Sequence, residues 1–121
     1  MVGTRLFVYG SLRRGCRHQD KLERAHFEGV SSTRAGYRLV HYEDGYPALV
    51  VDGSGKVEGE VYLVDLEVLS ELDDFEDCPF LYQRSRIELS DGRGAVAYTI
   101  EAKLAMRYPA FIGSVWPCEK R

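Results

Sequence analysis

No stretch of this 121-residue chain is apolar over anything near the length of a membrane span, which takes roughly 20 residues. Its opening segment, Met1 to Arg5, lacks the ordered basic, apolar and small-residue regions of a signal peptide and runs straight into a strand-like stretch. The cytosol is therefore the expected location, with no membrane partner. Cysteine is scarce. Cys16, Cys78 and Cys118 are odd in number, far apart and without a Cys-x-x-Cys pair, so neither a disulfide framework nor a structural zinc is expected. His18, His26 and His41 show no i, i+4 ligand spacing and no neighbouring cysteine pair, and read as surface or partly buried histidines rather than metal ligands. A basic excess is also missing. The net charge is −3 with the signs interspersed, and the densest basic stretch, Arg13 to Arg17, is too short for the concentrated face that phosphate binding requires. Nucleic acid is thereby excluded as the main partner. Repeats, low-complexity tracts and linkers are absent, so residues 1–121 read as a single domain.

What is present is an ordinary globular composition, 45% hydrophobic and 29% charged. Short strand-like runs dominate: Leu6 to Tyr9, Phe27 to Val30, Tyr37 to Tyr42, Ala48 to Val51, Val57 to Val64, Tyr82 to Leu89 and Ala95 to Ala102. Turn residues at Asp44-Gly45, Asp52 to Gly55 and Ser90 to Gly94 divide several of them. A short helix is expected over Cys16 to Arg24. A second begins after Asp65, whose carboxylate can accept the first free helix amides. Its apolar positions are Leu66, Val68, Leu69, Leu72 and Phe75, and Pro79 is expected to stop it. Tyr108 to Trp116 reads as a packed tail. The balance suits an α+β fold, a small, mostly antiparallel β-barrel with short flanking helices.

Two places exceed the needs of a plain scaffold. The turn Tyr9-Gly10-Ser11-Leu12 follows the first strand directly. Glycine frees the backbone there, and successive amides in such a turn can converge on an anion. Ser11 adds a hydroxyl, Arg13, Arg14 and Arg17 are close in sequence, and the expected ligand is a small carboxylate. A strand-to-helix turn without a ligand is the plainer reading of the same residues. The second place is Leu72-Asp73-Asp74-Phe75-Glu76-Asp77-Cys78-Pro79. If the helix runs on to Glu76, that side chain shares the face of Leu69 and Leu72. Desolvation, the neighbouring Asp73, Asp74 and Asp77, and the negative end of the helix dipole would each raise its pKa, which suits a group that takes and returns a proton near neutrality. The plainer reading is a solvated acidic run. Asp74 should face water, and Asp73 lies on the border of the buried face. Tyr82, Arg84 and Tyr98 follow on strands, either as hydrogen-bonding groups for a polar substrate or Glu76, or as packed rings and a surface ion pair.

Together these stretches resemble the γ-glutamyl cyclotransferase (AIG2-like) superfamily. The likeness lies in Phe7-Val8-Tyr9-Gly10-Ser11-Leu12-Arg13-Arg14-Gly15 and in Leu72 to Arg84, with Val57 to Tyr62 between, and covers roughly residues 5 to 100. The second stretch is most similar to the γ-glutamylamine cyclotransferase branch. The resemblance implies a β-barrel with a cavity at its mouth, and Glu76 as the catalytic acid/base. It implies a substrate-binding turn at Tyr9, Gly10, Ser11 and Leu12, and Tyr82, a few residues after the acidic stretch, is expected to join it. The reaction releases 5-oxoproline and a free amine from a small γ-glutamyl compound by attack of its own α-amine, and needs no metal, nucleotide or other cofactor. A monomer or weak homo-oligomer is expected. Arg34 to Asp52 and the chain after Ala102 depart from the branch and are placed to line the leaving-group part of the pocket. Three other readings stay open: a module that binds a γ-glutamyl compound or another carboxylate without turnover, thiol chemistry pairing Cys78 or Cys16 with His18 or His41, and a partner-binding role for exposed strand edges.

Overall fold

Alternate residues of the first strand point into two different cores. Leu6 and Val8 join one buried cluster, while Phe7 and Tyr9 join another on the opposite face. The same division splits Val40 from Leu39, and Ala48 and Val50 from Leu49. A strand covered on both faces carries a continuous apolar run rather than an alternating one, and Leu6 to Tyr9 is such a run. The computed structural model describes residues 3–120. Met1, Val2 and Arg121 lie outside the described residues, and part of the reading of the N-terminal segment falls there.

The strands are β1 (Thr4–Val8), β2 (His26–Ser32), β3 (Tyr37–His41), β4 (Pro47–Gly55), β5 (Glu58–Val64), β6 (Gln83–Glu88) and β7 (Gly94–Thr99), with helices α1 (Leu66–Phe75) and α2 (Ala102–Ala105). They form one seven-stranded sheet in the order β2-β5-β1-β7-β4-β3, with β6 also paired to β7. The architecture is α+β, as expected. Closure into a barrel is not among these pairs: the path ends at β2 and β3, and the sheet forks at β7. β6 runs antiparallel along β7 from Gln83–Thr99 to Glu88–Gly94 and so fills one edge. β1 and β4 must share the other edge, each parallel to β7, at Leu6–Val96 and Leu49–Thr99. β1 and β4 therefore separate beside the second half of β7. On its other edge β1 pairs tightly with β5. A Cβ on Gly59 would lie 2.2 Å from the Val8 carbonyl oxygen, so no larger residue fits there.

Helix α1 starts as expected, with Asp65 Oδ1 accepting from the Val68 N–H at 2.8 Å. It buries Val68, Leu69 and Leu72 against the Leu6–Val8 face. Its end differs from expectation. The helix stops at Phe75, ahead of Pro79, because the chain turns left-handed at Asp77 (φ 52°). The N–H of Cys78 then bonds to the Asp73 carbonyl at 2.9 Å, and that of Asp77 to the Asp74 carbonyl at 3.2 Å. This is the Schellman closure, with Asp77 in the place glycine usually takes. Glu76 is the C-cap.

The expected helix over Cys16 to Arg24 contracts to one 3-10 turn, Gln19–Leu22, and the last expected strand ends at Thr99, where the chain turns into α2. The tail packs through Phe111 and Trp116 against His41. The reading of the cysteines is overturned: Cys16 and Cys118 form a disulfide with their Cα atoms 5.7 Å apart, and Cys78 is free. The pairing depends on the C-terminal segment crossing the loop after β1, a long-range event that no local spacing reveals.

Candidate active site

Tyr9 fills the fork between β1 and β4. Its hydroxyl donates to the Tyr98 carbonyl at 2.5 Å and accepts from the Leu49 N–H at 3.0 Å. A side chain thus completes the hydrogen bonding where the backbone of β1 departs. β1 ends here, and Gly10 passes beside the start of β4, where an added Cβ would lie 3.0 Å from Pro47 Cγ. From the other side the Tyr82 hydroxyl donates to the Pro47 carbonyl at 2.7 Å. Tyr98 donates to Asp73 Oδ1 at 2.7 Å. Burial, added to by nearby negative charge, pushes all three phenols well above their ordinary range, so they are neutral donors.

Between these elements lies a cavity of about 280 Å³. Its lining brings together all six residues singled out in the sequence: Tyr9, Gly10, Ser11, Leu12, Glu76 and Tyr82. The turn is closed by the Arg13 N–H bonding to the Gly10 carbonyl at 3.2 Å, and the Ser11 carbonyl accepts from the His18 N–H at 2.9 Å. Among the described residues, no protein acceptor takes the N–H groups of Gly10, Ser11 and Leu12. Three unpartnered donors in a concave turn suit a carboxylate or a developing oxyanion. The nearby arginines do not contribute. Arg13 bonds to the carbonyls of Gly10 and Trp116, Arg14 stacks over Phe27, and Arg17 pairs with Glu119.

Glu76 faces the turn's cavity from the end of α1. Burial raises its carboxyl from the ordinary 4.5 to about 7, with no hydrogen bond or cation to offset the lost hydration. Among the described residues, no sealed polar side-chain atom lacks a partner, so the Glu76 carboxyl oxygens are not sealed from the cavity that the residue lines. The aspartates expected to assist do not. Asp74 and Asp77 are exposed, and Asp73 is held by Tyr98 and by Arg84 Nε at 3.1 Å. Arg84 therefore takes its plainer role, an ion pair, and the Tyr82 hydroxyl is committed to Pro47.

The rest of the lining includes His18, Glu43, Asp44, Tyr46 and Phe75. Of these, His18 figured only in the thiol reading, and Glu43, Asp44 and Tyr46 fall within the Arg34–Asp52 stretch assigned to the leaving-group side. His18 Nε2 lies 3.1 Å from the Tyr46 hydroxyl, and its ring meets Phe75 edge-on at 4.9 Å. Desolvation lowers its pKa, followed by the charge of Arg17, and keeps the imidazole neutral. No lysine or arginine among the described residues lines the cavity. Among the described residues, no cluster of three or more His, Cys, Asp or Glu side chains is placed to hold a metal, and no helix is long and apolar enough to cross a membrane.

A forked sheet, a strand-end turn and a desolvated carboxyl frame one small cavity. The family model for gamma-glutamyl cyclotransferase, AIG2-like, matches residues 6–115, and the chain belongs to that family. It is an enzyme of the γ-glutamyl cyclotransferase type. Human gamma-glutamylaminecyclotransferase is 40% identical over 124 aligned positions, covering 94% of this chain and 81% of that protein. A putative gamma-glutamylcyclotransferase from Vibrio cholerae is 43% identical over 88 positions, 72% of this chain and 74% of that one. The crystal structure of a mouse AIG2-like protein superposes with a TM-score of 0.77 at 32% identity, covering 100% and 97% of the two chains.

Proposed function

We propose that the protein converts a γ-glutamyl amine or γ-glutamyl amino acid into 5-oxoproline and a free amine, with Glu76 as general acid and base. The observation that carries this reading is the shared cavity: an unpartnered carboxyl with its pKa raised to about 7 and a turn whose backbone amides have no protein acceptor line the same small hollow. The substrate supplies its own nucleophile, so holding it in the ring-closing geometry accounts for much of the rate. Glu76, as carboxylate, takes a proton from the α-ammonium. The freed amine attacks the γ-carbonyl carbon, a C–N bond forms, and the amide C–N bond to the leaving group breaks. Two protons leave the α-nitrogen as it becomes the lactam N–H, and two reach the departing nitrogen, which leaves as an ammonium. Glu76 takes and returns them in turn and ends as carboxylate. The amides of Gly10, Ser11 and Leu12 anchor the glutamyl carboxylate or face the carbonyl oxygen as it gains charge. Tyr9 and Tyr82 bear on the glutamyl group as walls, since their hydroxyls are committed within the protein.

The test is an assay for 5-oxoproline with a panel of γ-glutamyl amines, γ-glutamyl dipeptides and glutathione. Turnover that disappears in Glu76→Gln supports the reading. Turnover that survives the substitution removes Glu76 as the base, and binding without turnover for every compound assigns the cavity to a non-catalytic module.

A further inference from the structure

The loop from Gly10 to His18 carries the open amides and one wall of the cavity, yet outside one short 3-10 turn, Gln19–Leu22, the whole connection from β1 to β2 has no regular structure of its own. The C-terminal segment beyond α2 is equally irregular and bridges β3 at Val40–Ala110 without forming a strand of its own. As far as Ser114 that segment is held by the sheet. Its carbonyls at Pro109 and Ser114 accept from the N–H groups of His41 and Glu58, both at 2.9 Å or less. From Trp116 onward it is held by the Gly10–His18 loop as well, while the Trp116 ring stays packed against His41. Arg13 donates to the Trp116 carbonyl and, through Nε, to the Gly10 carbonyl. The Arg17 N–H donates to the Glu119 carbonyl at 2.8 Å, and Cys16 bridges to Lys120. The one covalent tie in this arrangement is Cys16–Cys118. It sits two residues before His18, whose own N–H holds the Ser11 carbonyl of the anion turn.

We propose that the Cys16–Cys118 disulfide is a redox-modifiable lock on the substrate turn: oxidised, it holds the Gly10–His18 loop against the C-terminal segment in the binding geometry, and reduced, it releases both. The two cysteines differ in exposure. Cys16 is 2% exposed, whereas Cys118 is half-buried. A thiolate of a small dithiol therefore attacks Cys118 Sγ. The S–S bond breaks with its electron pair going to Cys16 Sγ, and a mixed disulfide forms on Cys118. The second thiolate of the reagent then attacks its own bound sulfur, releasing Cys118 as thiolate and the reagent as a cyclic disulfide. The two protein thiolates take up the two protons the dithiol lost. Reduction removes the covalent tie and leaves the segment to its bonds with Arg13 and Arg17 and to the packing of Trp116, and the loss is felt at Ser11 through residues 16 to 18. A disulfide that governs a functional loop belongs to the redox-sensing kind when its surroundings are reducing.

The lock has two readouts, and only turnover rests on the proposed function. Amide hydrogen exchange is compared in the full-length protein before and after reduction by dithiothreitol, with thiol titration confirming a rise from one free thiol to three. The N–H groups of Cys16, Arg17 and His18, all bonded in the oxidised protein, are expected to exchange faster after reduction while those of β1 and β5 do not change. The kcat/KM for a γ-glutamyl amine is expected to fall by roughly tenfold or more, mostly through KM, because the anchoring donors lose their geometry. Cys118→Ser is expected to behave as the reduced protein and to ignore dithiothreitol. Unchanged exchange at residues 16 to 18, unchanged turnover despite faster exchange, or three free thiols in air-oxidised protein would each overturn the lock. No turnover in either state, with the exchange difference present, overturns the cyclotransferase reading and supports the lock as a structural device.

Discussion

At the inner end of the cavity Tyr9, Tyr82 and Tyr98 each have a committed hydroxyl, bonded to a strand carbonyl or to Asp73, and each ring is buried. At the outer end Glu43 and Asp44 are exposed on a short 3-10 turn, Asp44 is in a left-handed conformation (φ 55°), and Glu43 is held by the hydroxyl of Tyr108. The inner end is fixed by hydrogen bonds to the sheet. The outer end lies on loops, where charge is screened by water and side chains can adapt. A reaction common to many γ-glutamyl compounds needs a rigid place for the glutamyl half and a more permissive one for the amine.

Breaking the inner end should have the largest effects. Glu76→Gln is expected to lower kcat/KM by about 10²- to 10⁴-fold. In the unsubstituted enzyme kcat/KM should rise with pH through about 7, as the free carboxylate appears, and steady-state kinetics across pH should show this limb missing in the variant.

The same residue separates function from stability. Its folded pKa of about 7 lies above the ordinary 4.5, so the folded state binds the proton more tightly than the unfolded chain. Stability must fall as pH rises between those two values and stay lower above them. Glu76→Gln should therefore be more stable than the parent at pH 8, by up to about 3 kcal/mol, and lose that advantage at pH 4. Urea melts at the two pH values check this.

Tyr9→Phe sharpens the comparison next. It leaves the Leu49 N–H and the Tyr98 carbonyl without their buried partner, and should cost about 1–3 kcal/mol of stability by chemical denaturation. The smallest effects belong to the outer end. Glu43→Gln and Asp44→Asn should change stability by less than about 0.5 kcal/mol. They should raise KM for a γ-glutamyl compound with a cationic leaving group by roughly two- to fivefold, with kcat unchanged. An effect at the outer end as large as that of Glu76→Gln would erase the distinction between the two ends.

Local chemistry was legible where neighbours in sequence are neighbours in space. Asp65 as N-cap, the buried face of Val68, Leu69 and Leu72, and the run Leu6 to Tyr9 were all readable, because a cap, a helix face and a strand are settled within a few residues. The end of α1 was misread: Pro79 is a visible stop signal, while the Schellman closure needs Asp77 to accept a left-handed conformation that its side chain does not announce. Arg13, Arg14 and Arg17 are close to the anion turn in sequence and still point elsewhere, since their partners Trp116, Phe27 and Glu119 come from distant segments.

By itself the sequence determined the strand-rich α+β class and the buried face of α1, because these rest on residue type and periodicity, while its resemblance to a family singled out the two stretches that line one cavity. Tertiary structure alone decided that the sheet forks at β7, that Tyr9 bridges the fork, that His18 and Tyr46 join the wall and that Cys16 meets Cys118. Each of those depends on which edge of a strand is free and which segment crosses it, and such contacts are set by packing between parts of the chain far apart in sequence.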